Sequence, residues 1–238
     1  MAGHSKWSQI KRKKAHLDSK RGQAFTKLIK EITVCARNGG GDPDGNARLR
    51  LLLEKAKEIN MPLENSLRAI KRGTGELPGV HYEEMTYEGH GPENCSVIVE
   101  VLTDNKNRTV AEFRRLFTEN GGRLGDLGSV SWQFEKFAVI HVPLDQSNEE
   151  QLFESLLDFN IADIKATETE FIIYAEPKNL DLIKKKLQEI SVKPSDAEIE
   201  WVAKDHLELS EKQYEKVYAF LDALHNHDDV KNLYTNAP

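Results

Sequence analysis

The residues with the clearest chemical role are the cations near the start of the chain. Residues 1–30 carry nine Lys or Arg side chains and one acid, Asp18, which gives this segment a formal charge of +8. Cationic side chains bind phosphate oxygens, and an aromatic ring stacks on nucleobases. The pattern therefore predicts a nucleic-acid-binding segment. Its predicted contact residues are Lys6, Trp7, Lys11, Arg12, Lys13, Lys14, Lys20, Arg21, Lys27 and Lys30.

The charge of the chain is divided unevenly along its length. The 238 residues have a formal net charge of −6 at pH 7. Residues 1–75 hold 17 Lys or Arg and 7 Asp or Glu, a charge of +10, whereas the remainder holds 16 and 32, a charge of −16. The two parts are therefore expected to meet different partners, or each other. A basic segment on an acidic protein predicts a polyphosphate partner, either DNA or RNA.

Residues that could perform catalysis are scattered. His225, His227, Asp228 and Asp229 form one cluster with the residue types of a metal site. This cluster follows a predicted helix, where histidines are favoured by the helix dipole, so we interpret it as structural. No Ser or Cys lies in a nucleophile elbow, and no Gly-x-Gly-x-x-Gly motif follows a strand. We expect a protein that is not an enzyme and uses no cofactor or metal.

The sequence has no segment that resembles a membrane span or a secretory signal. No apolar run approaches the ~20 residues that a membrane helix needs. The basic N-terminus is not followed by the apolar stretch of a signal peptide. The two cysteines, Cys35 and Cys95, are interpreted as reduced, buried thiols. We therefore expect a cytoplasmic protein with no membrane partner.

Three amphipathic helices are predicted to follow an arm without regular structure. Residues 2–19, the basic arm, show neither helical nor strand periodicity and are expected to become ordered on nucleic acid. Apolar residues recur every three or four positions in residues 20–38, 46–59 and 62–72, which predicts a small bundle. On the first helix, an exposed basic face is predicted from Lys20, Lys27, Lys30 and Arg37.

From residue 82 the pattern changes to strands and helices in alternation. Residues 82–134 predict β-β-α-β, with a last strand at 129–134 that places Trp132 beside Val130 and Phe134. Residues 136–204 predict the ferredoxin-like order β-α-β-β-α-β, and the final segment predicts β-α-β with a strand near 206–209. The predicted fold class is α+β, an N-terminal three-helix bundle plus two ferredoxin-like α/β domains, one of them discontinuous. The predicted domains are 1–79, 80–135 with 205–238, and the inserted 136–204.

Several motifs together resemble the YebC family. They are dense between residues 2 and 134, and the rest of the chain is similar in pattern only. One position departs from the family, since the usual serine before Gly128 is Leu127 here. The matching motifs are Ala2-Gly3-His4-Ser5-Lys6-Trp7, Lys20-Arg21-Gly22, Phe25-Thr26-Lys27-Leu28-Ile29, Gly39-Gly40-Gly41-Asp42-Pro43, Asn60-Met61-Pro62, Ala69-Ile70-Lys71-Arg72-Gly73-Thr74-Gly75, Tyr87-Glu88-Gly89, Thr103-Asp104-Asn105, Asn107-Arg108-Thr109 and Gly128-Ser129-Val130-Ser131-Trp132.

This resemblance implies a helical bundle and two ferredoxin-like domains around a cleft. It also implies a non-enzymatic role in gene expression, as a DNA-binding transcriptional regulator, a ribosome-associated translation factor, or both. The translational role is implied by the related mitochondrial activator of a cytochrome oxidase subunit, and it consists of relieving stalled ribosomes. The alternative is a purely translational factor that binds ribosomal RNA and has no direct DNA role. The −16 charge of residues 76–238 favours that alternative, because it repels a long duplex.

Overall fold

The fold is taken from a computed structural model, which describes residues 21–238. The helices are α1 (Arg21–Gly39), α2 (Ala47–Glu58), α3 (Leu63–Gly73), α4 (Lys106–Glu119), α5 (Glu149–Leu156), α6 (Leu180–Glu189) and α7 (Glu211–His225). The strands are β1 (Glu83–His90), β2 (Ser96–Thr103), β3 (Arg123–Gly125), β4 (Phe134–Pro143), β5 (Ile161–Ala166), β6 (Glu170–Ala175), β7 (Asp196–Ala203) and β8 (Val230–Thr235). The predicted fold class is confirmed as α+β, with a three-helix bundle and two ferredoxin-like domains, one discontinuous. The predicted basic arm lies outside the described residues.

The bundle consists of α1, α2 and α3. Their apolar positions meet in one core, and Asn46 closes the turn that leads into α2. The Asn46 side chain accepts a hydrogen bond from the Leu49 amide at 3.1 Å and donates one to the Gly40 carbonyl at 2.9 Å, so it caps the helix and holds the preceding loop. The main core residues are Leu28, Ile32, Cys35, Leu49, Leu52, Ala56, Ala69 and Ile70.

Helices α1 and α3 approach closely at Gly73. A Cβ atom at this position would lie 2.4 Å from the Thr33 carbonyl oxygen and 2.8 Å from the Ala36 Cβ, so the crossing has no room for a side chain. We expect Gly73→Ala to lower the free energy of unfolding by about 1–3 kcal/mol through overpacking, as measured by urea denaturation. Gly22→Ala is the matched control, because a Cβ there meets nothing within 4 Å. Equal stabilities of the two variants would contradict the close crossing.

The first sheet is assembled from distant parts of the chain. Its strand order is β3-β1-β2-β8, and all three pairings are antiparallel. Strand β8 pairs with β2, so a segment near the C-terminus lies beside a central strand formed more than a hundred residues earlier. Helices α4 and α7 cover one face of the sheet. Their shared core includes Val97, Val99, Val101, Phe113, Phe117, Phe220, Leu224 and Leu233.

The second sheet is formed by consecutive elements. Its order is β5-β6-β4-β7, again antiparallel, which is the ferredoxin-like arrangement of a β-α-β-β-α-β segment. Helices α5 and α6 pack on one face of this sheet. Their apolar residues recur every three or four positions, so they lie on one side of each helix. The core of this domain includes Ile140, Val142, Leu152, Leu156, Ile173, Ile183 and Leu187. Residues 131–206 form one compact unit, and the described residues 21–130 with 207–238 belong to the other.

Two predicted strands are wrong. Residues 131–133 form a 3₁₀ turn, and Trp132 is 68% exposed instead of lying in a row with Val130 and Phe134. The cause is the buried carboxylate of Glu88, which accepts hydrogen bonds from the amides of Gly128 at 2.9 Å and Val130 at 2.8 Å. These bonds bend the segment before it can pair. The strand predicted near 206–209 is also absent from the described chain, where Leu207 makes a single backbone bond to Asn236.

Candidate nucleic-acid interface

The structure describes only a few of the predicted contact residues. Lys6, Trp7, Lys11, Arg12, Lys13, Lys14 and Lys20 lie outside the described residues, and Arg21 begins α1. Lys27 and Lys30 are placed in the middle of α1. They are the two predicted contact residues whose side chains the described part of the chain places.

Lys30 is buried, so its predicted position on an exposed basic face is wrong. Its side chain retains 9% of its exposure, and its Nζ lies 2.6 Å from Oδ1 of Asp229. The same nitrogen donates to the carbonyl oxygen of Asp228 at 3.1 Å. Helix α1 therefore turns this cation toward the sheet domain, and the ammonium group is bonded to protein.

Lys27 lies one turn earlier and is half-buried. Its Nζ donates to the carbonyl of His225 at 2.6 Å, and Gln23 donates to the carbonyl of Asn226 at 3.3 Å. These carbonyls belong to the C-terminal end of α7, where oxygens lack helical partners and carry the negative end of the helix dipole. The basic side of α1 therefore caps α7. This capping fixes the bundle against the sheet domain within their shared compact unit.

Asp229 is the centre of this contact. Its carboxylate accepts hydrogen bonds from Lys30 at 2.6 Å, from the Arg108 guanidinium at 3.0 Å and from the Thr109 hydroxyl at 2.8 Å. Burial by itself raises the pKa of Asp229, but the hydrogen bonds from Lys30, Arg108 and Thr109 outweigh it and hold the pKa at about 2. The carboxylate is therefore ionised at neutral pH and balances the buried cation.

The metal-like cluster of the sequence belongs to the same turn. Glu112, His227 and Asp229 bring ligand-type atoms close together. His227 Nδ1 accepts the amide hydrogen of Asp229 at 3.1 Å, so its Nε2 carries the proton and donates it to Glu112 at 2.8 Å. The Asp229 oxygens are already bonded to Lys30, Arg108 and Thr109. The donor set therefore fits a hydrogen-bonded turn better than a cation, and the expected lack of a metal stays a prediction.

Exposed cations occur instead on the outer sides of α2 and α3. They stand opposite the apolar stripes that form the bundle core. They are not among the predicted contact residues, because cations are densest in the first thirty residues. The available signal was the recurrence of cations at non-core positions of both predicted helices. These exposed residues are Arg48, Arg50, Lys55, Lys57, Arg68, Lys71 and Arg72.

The direct readout of bases has few candidates in the described bundle. Asn65 is half-buried, and Arg68 pairs with Glu64 along the same helix. Arg72 is exposed at the end of α3. Cations without convergent Asn, Gln and Arg groups bind phosphates rather than read base edges. Among residues 21–238, no helix has both the length and the apolar character that crossing a bilayer requires.

Comparison with known proteins gives consistent results along the chain. Residues 5–76 match the model of the TACO1/YebC protein N-terminal domain, and residues 82–237 match that of the TACO1/YebC second and third domain. A protein of Persephonella marina named "Probable transcriptional regulatory protein" is 50% identical over 238 residues, which cover 99% of this chain and 95% of that protein. A protein of the same description from Caldanaerobacter subterraneus is 48% identical over 237 residues, covering 99% of this chain and 98% of its own.

A solved structure has the same fold. The crystal structure of a conserved hypothetical protein from Aquifex aeolicus superposes with a TM-score of 0.83 at 41% sequence identity. The match covers 94% of this chain and 93% of that one. The motifs, both domain models and the fold agree, and the chain belongs to the TACO1/YebC family.

Proposed function

We propose that this protein is a non-enzymatic, cytoplasmic regulator of gene expression that binds nucleic acid through its basic arm and bundle. The observation that carries the proposal is the charge division, +10 in residues 1–75 against −16 in the remainder. The exposed cations of α2 and α3 extend this basic character from the arm to the folded bundle. The names of the relatives, probable transcriptional regulatory proteins, support the same class of function.

Binding is expected to rest on phosphate contacts and on base stacking. Each Lys or Arg that neutralises a phosphate releases a condensed counterion, so affinity falls as salt rises. Trp7 supplies a ring that stacks on any base without reading its sequence. The bonds from Lys27 to the end of α7 and from Lys30 to Asp229 hold α1, and with it the bundle, against the sheet domain. The exposed cations of α2 and α3 therefore keep a fixed position relative to the sheet domain.

The partner that the charges favour is RNA, within the ribosome, rather than a promoter duplex. The acidic remainder of the chain repels a long duplex. Asn65, Arg68 and Arg72 also make a poor set for reading base edges, since Arg68 pairs with Glu64. A translation factor that contacts ribosomal RNA through its arm is compatible with both the acidic remainder of the chain and the lack of a base-reading set. The second candidate is a regulator that recognises DNA directly.

A competition experiment separates the two candidates. The labelled protein is bound to ribosomes at near-physiological salt and challenged with excess promoter duplex or with a scrambled duplex of equal length. We expect the protein to stay on the ribosome in both cases, because folded RNA offers unpaired bases on which Trp7 can stack and a duplex does not. Displacement by the promoter duplex alone would establish DNA recognition and contradict the RNA assignment. Failure to bind ribosomes and either duplex would contradict the proposed function as a whole.

A further inference from the structure

Helix α5 of the inserted ferredoxin-like domain has two apolar faces. Leu152 and Leu156 point into the domain core and are fully buried. The next residue in each case, Phe153 and Leu157, is 55% and 59% exposed. Leu157 has helical backbone angles and begins the 3₁₀ turn Leu157–Phe159, which directly continues α5. Residues four positions apart lie on one side of a helix, so these two side chains form an outward apolar pair. Neither side chain belongs to the core of the domain.

The chain segment that carries this pair is strongly acidic. Residues 144–164 contain six Asp or Glu and no Lys or Arg. Four of these acids lie on or directly after α5 and are exposed, and no ion pair within the described chain reaches them. They are Glu149, Glu150, Glu154 and Asp158. Apolar side chains flanked along the chain by like charges favour a partner that offers both an apolar group and the opposite charge.

We propose that the outer face of α5 and of the turn after it, formed by Phe153, Leu157 and the four neighbouring carboxylates, binds a basic protein segment with apolar anchors. The fitting chemistry is an amphipathic Lys- or Arg-rich helix whose apolar side covers the exposed pair. The surface lies in the acidic part of the chain, so it complements a nucleic-acid-binding arm without competing for the same ligand. A nucleoprotein assembly supplies both partners, because proteins that bind nucleic acid are rich in such basic segments.

Other partners fit this surface less well. Phosphates of nucleic acids and anionic lipid headgroups are repelled by four carboxylates. A symmetric dimer through this face would set the same four negative charges against each other. A second copy could instead offer the basic outer side of α3, where Leu63 and Leu67 are exposed beside Lys71. Such a contact is head-to-tail, so it leads to rings or open chains of molecules instead of a two-fold dimer.

The test uses the full chain and a designed peptide probe. The probe is a labelled amphipathic helix of Leu and Lys, and its control replaces every Leu by Gln at unchanged charge. We expect the Leu peptide to bind at least about 10-fold more tightly than the Gln peptide, because only the former covers the apolar pair. The double variant Phe153→Ser with Leu157→Ser is expected to abolish that difference. Leu182→Ser, which alters an exposed leucine on α6, is the matched control and should leave binding unchanged.

Three results would overturn the proposal. Equal binding of the Leu and Gln peptides to the wild type would show a charge effect without an apolar site. Unchanged binding of the Leu peptide to the double variant would place the site elsewhere. Self-association of the wild type in sedimentation, lost in the double variant and in Leu67→Ser, would identify a second copy as the occupant. Both Phe153 and Leu157 are exposed, so the folded state should survive their replacement, and circular dichroism verifies this.

Discussion

Replacing Asp229 by alanine is expected to lower the free energy of unfolding by about 3–5 kcal/mol, because it leaves a buried ammonium group without its counter-charge. In the wild type, Lys30 Nζ lies 2.6 Å from the carboxylate, and Arg108 and Thr109 bond to the same group. The variant removes this shared acceptor, and Lys30 then keeps only carbonyl oxygens, such as that of Asp228, which carry no full negative charge. Urea denaturation followed by circular dichroism measures the loss.

Asp228→Ala is the control for this change. Asp228 is the neighbouring, exposed acid, and its bond to Lys30 is made by its main-chain carbonyl, which alanine retains. We expect its stability to stay within about 0.5 kcal/mol of the wild type. Lys30→Met combined with Asp229→Leu should cost less than the two single changes added together, since neither charge is then left alone. Additive losses would contradict a direct pair.

The pH dependence of unfolding offers an independent measurement of the same contact. The folded-state pKa of Asp229 is about 2, below the ~3.9 of an unfolded aspartate. A depressed pKa means that the stabilisation is fully present above pH ~4 and is lost as the pH falls toward 2. The wild type should therefore lose stability more steeply than Asp229→Asn in this interval. If the free energy of unfolding changed with pH in the same way for both proteins, the carboxylate would not be held ionised by its neighbours.

The local patterns of the chain were sufficient to predict most of the helices and strands. Apolar residues at helical spacing identified α1, α2 and α3, and a nearly continuous apolar run identified the central strand β2. These signals are local, because each element must bury its own face. The 3₁₀ turn at 131–133 could not be predicted in this way, because it depends on a contact that is distant in sequence. The carboxylate of Glu88, about forty residues earlier, accepts hydrogen bonds from two amides of this segment.

The roles of Lys27 and Lys30 could not be predicted from the charge pattern. A charge pattern does not distinguish a solvated cation on the polar side of a helix from one that is bonded within the protein. The carbonyl and carboxylate partners of these two lysines lie 198 and 199 residues further along the chain, so no local window contains both sides of the contact. The resemblance to a family placed α1 in a bundle but did not specify which of its faces meets the sheet. Long-range packing decided which cations remain exposed.

The largest effect on binding is expected from the arm. We expect the combined change of Lys11, Arg12, Lys13 and Lys14 to alanine to weaken nucleic-acid binding ~100- to 1,000-fold near physiological salt. Four lost phosphate contacts should reduce the slope of log affinity against log salt by about 2.8 on single strands and about 3.6 on duplex DNA. Fluorescence anisotropy over a range of salt concentrations measures both quantities. Lys30 is left out of this set, because its loss affects folding before it affects binding.

A charge-matched variant distinguishes local contacts from overall repulsion. Changing Lys178, Lys185, Lys193 and Lys212 to alanine also lowers the formal net charge from −6 to −10, and all four side chains are exposed. If the arm makes the phosphate contacts, this control keeps the wild-type salt slope and loses little affinity, because exposed charges that contact no phosphate are largely screened at 0.1 M salt. Equal losses in both variants would mean that net charge alone governs binding. An unchanged slope in the arm variant would move the contacts to the exposed cations of α2 and α3.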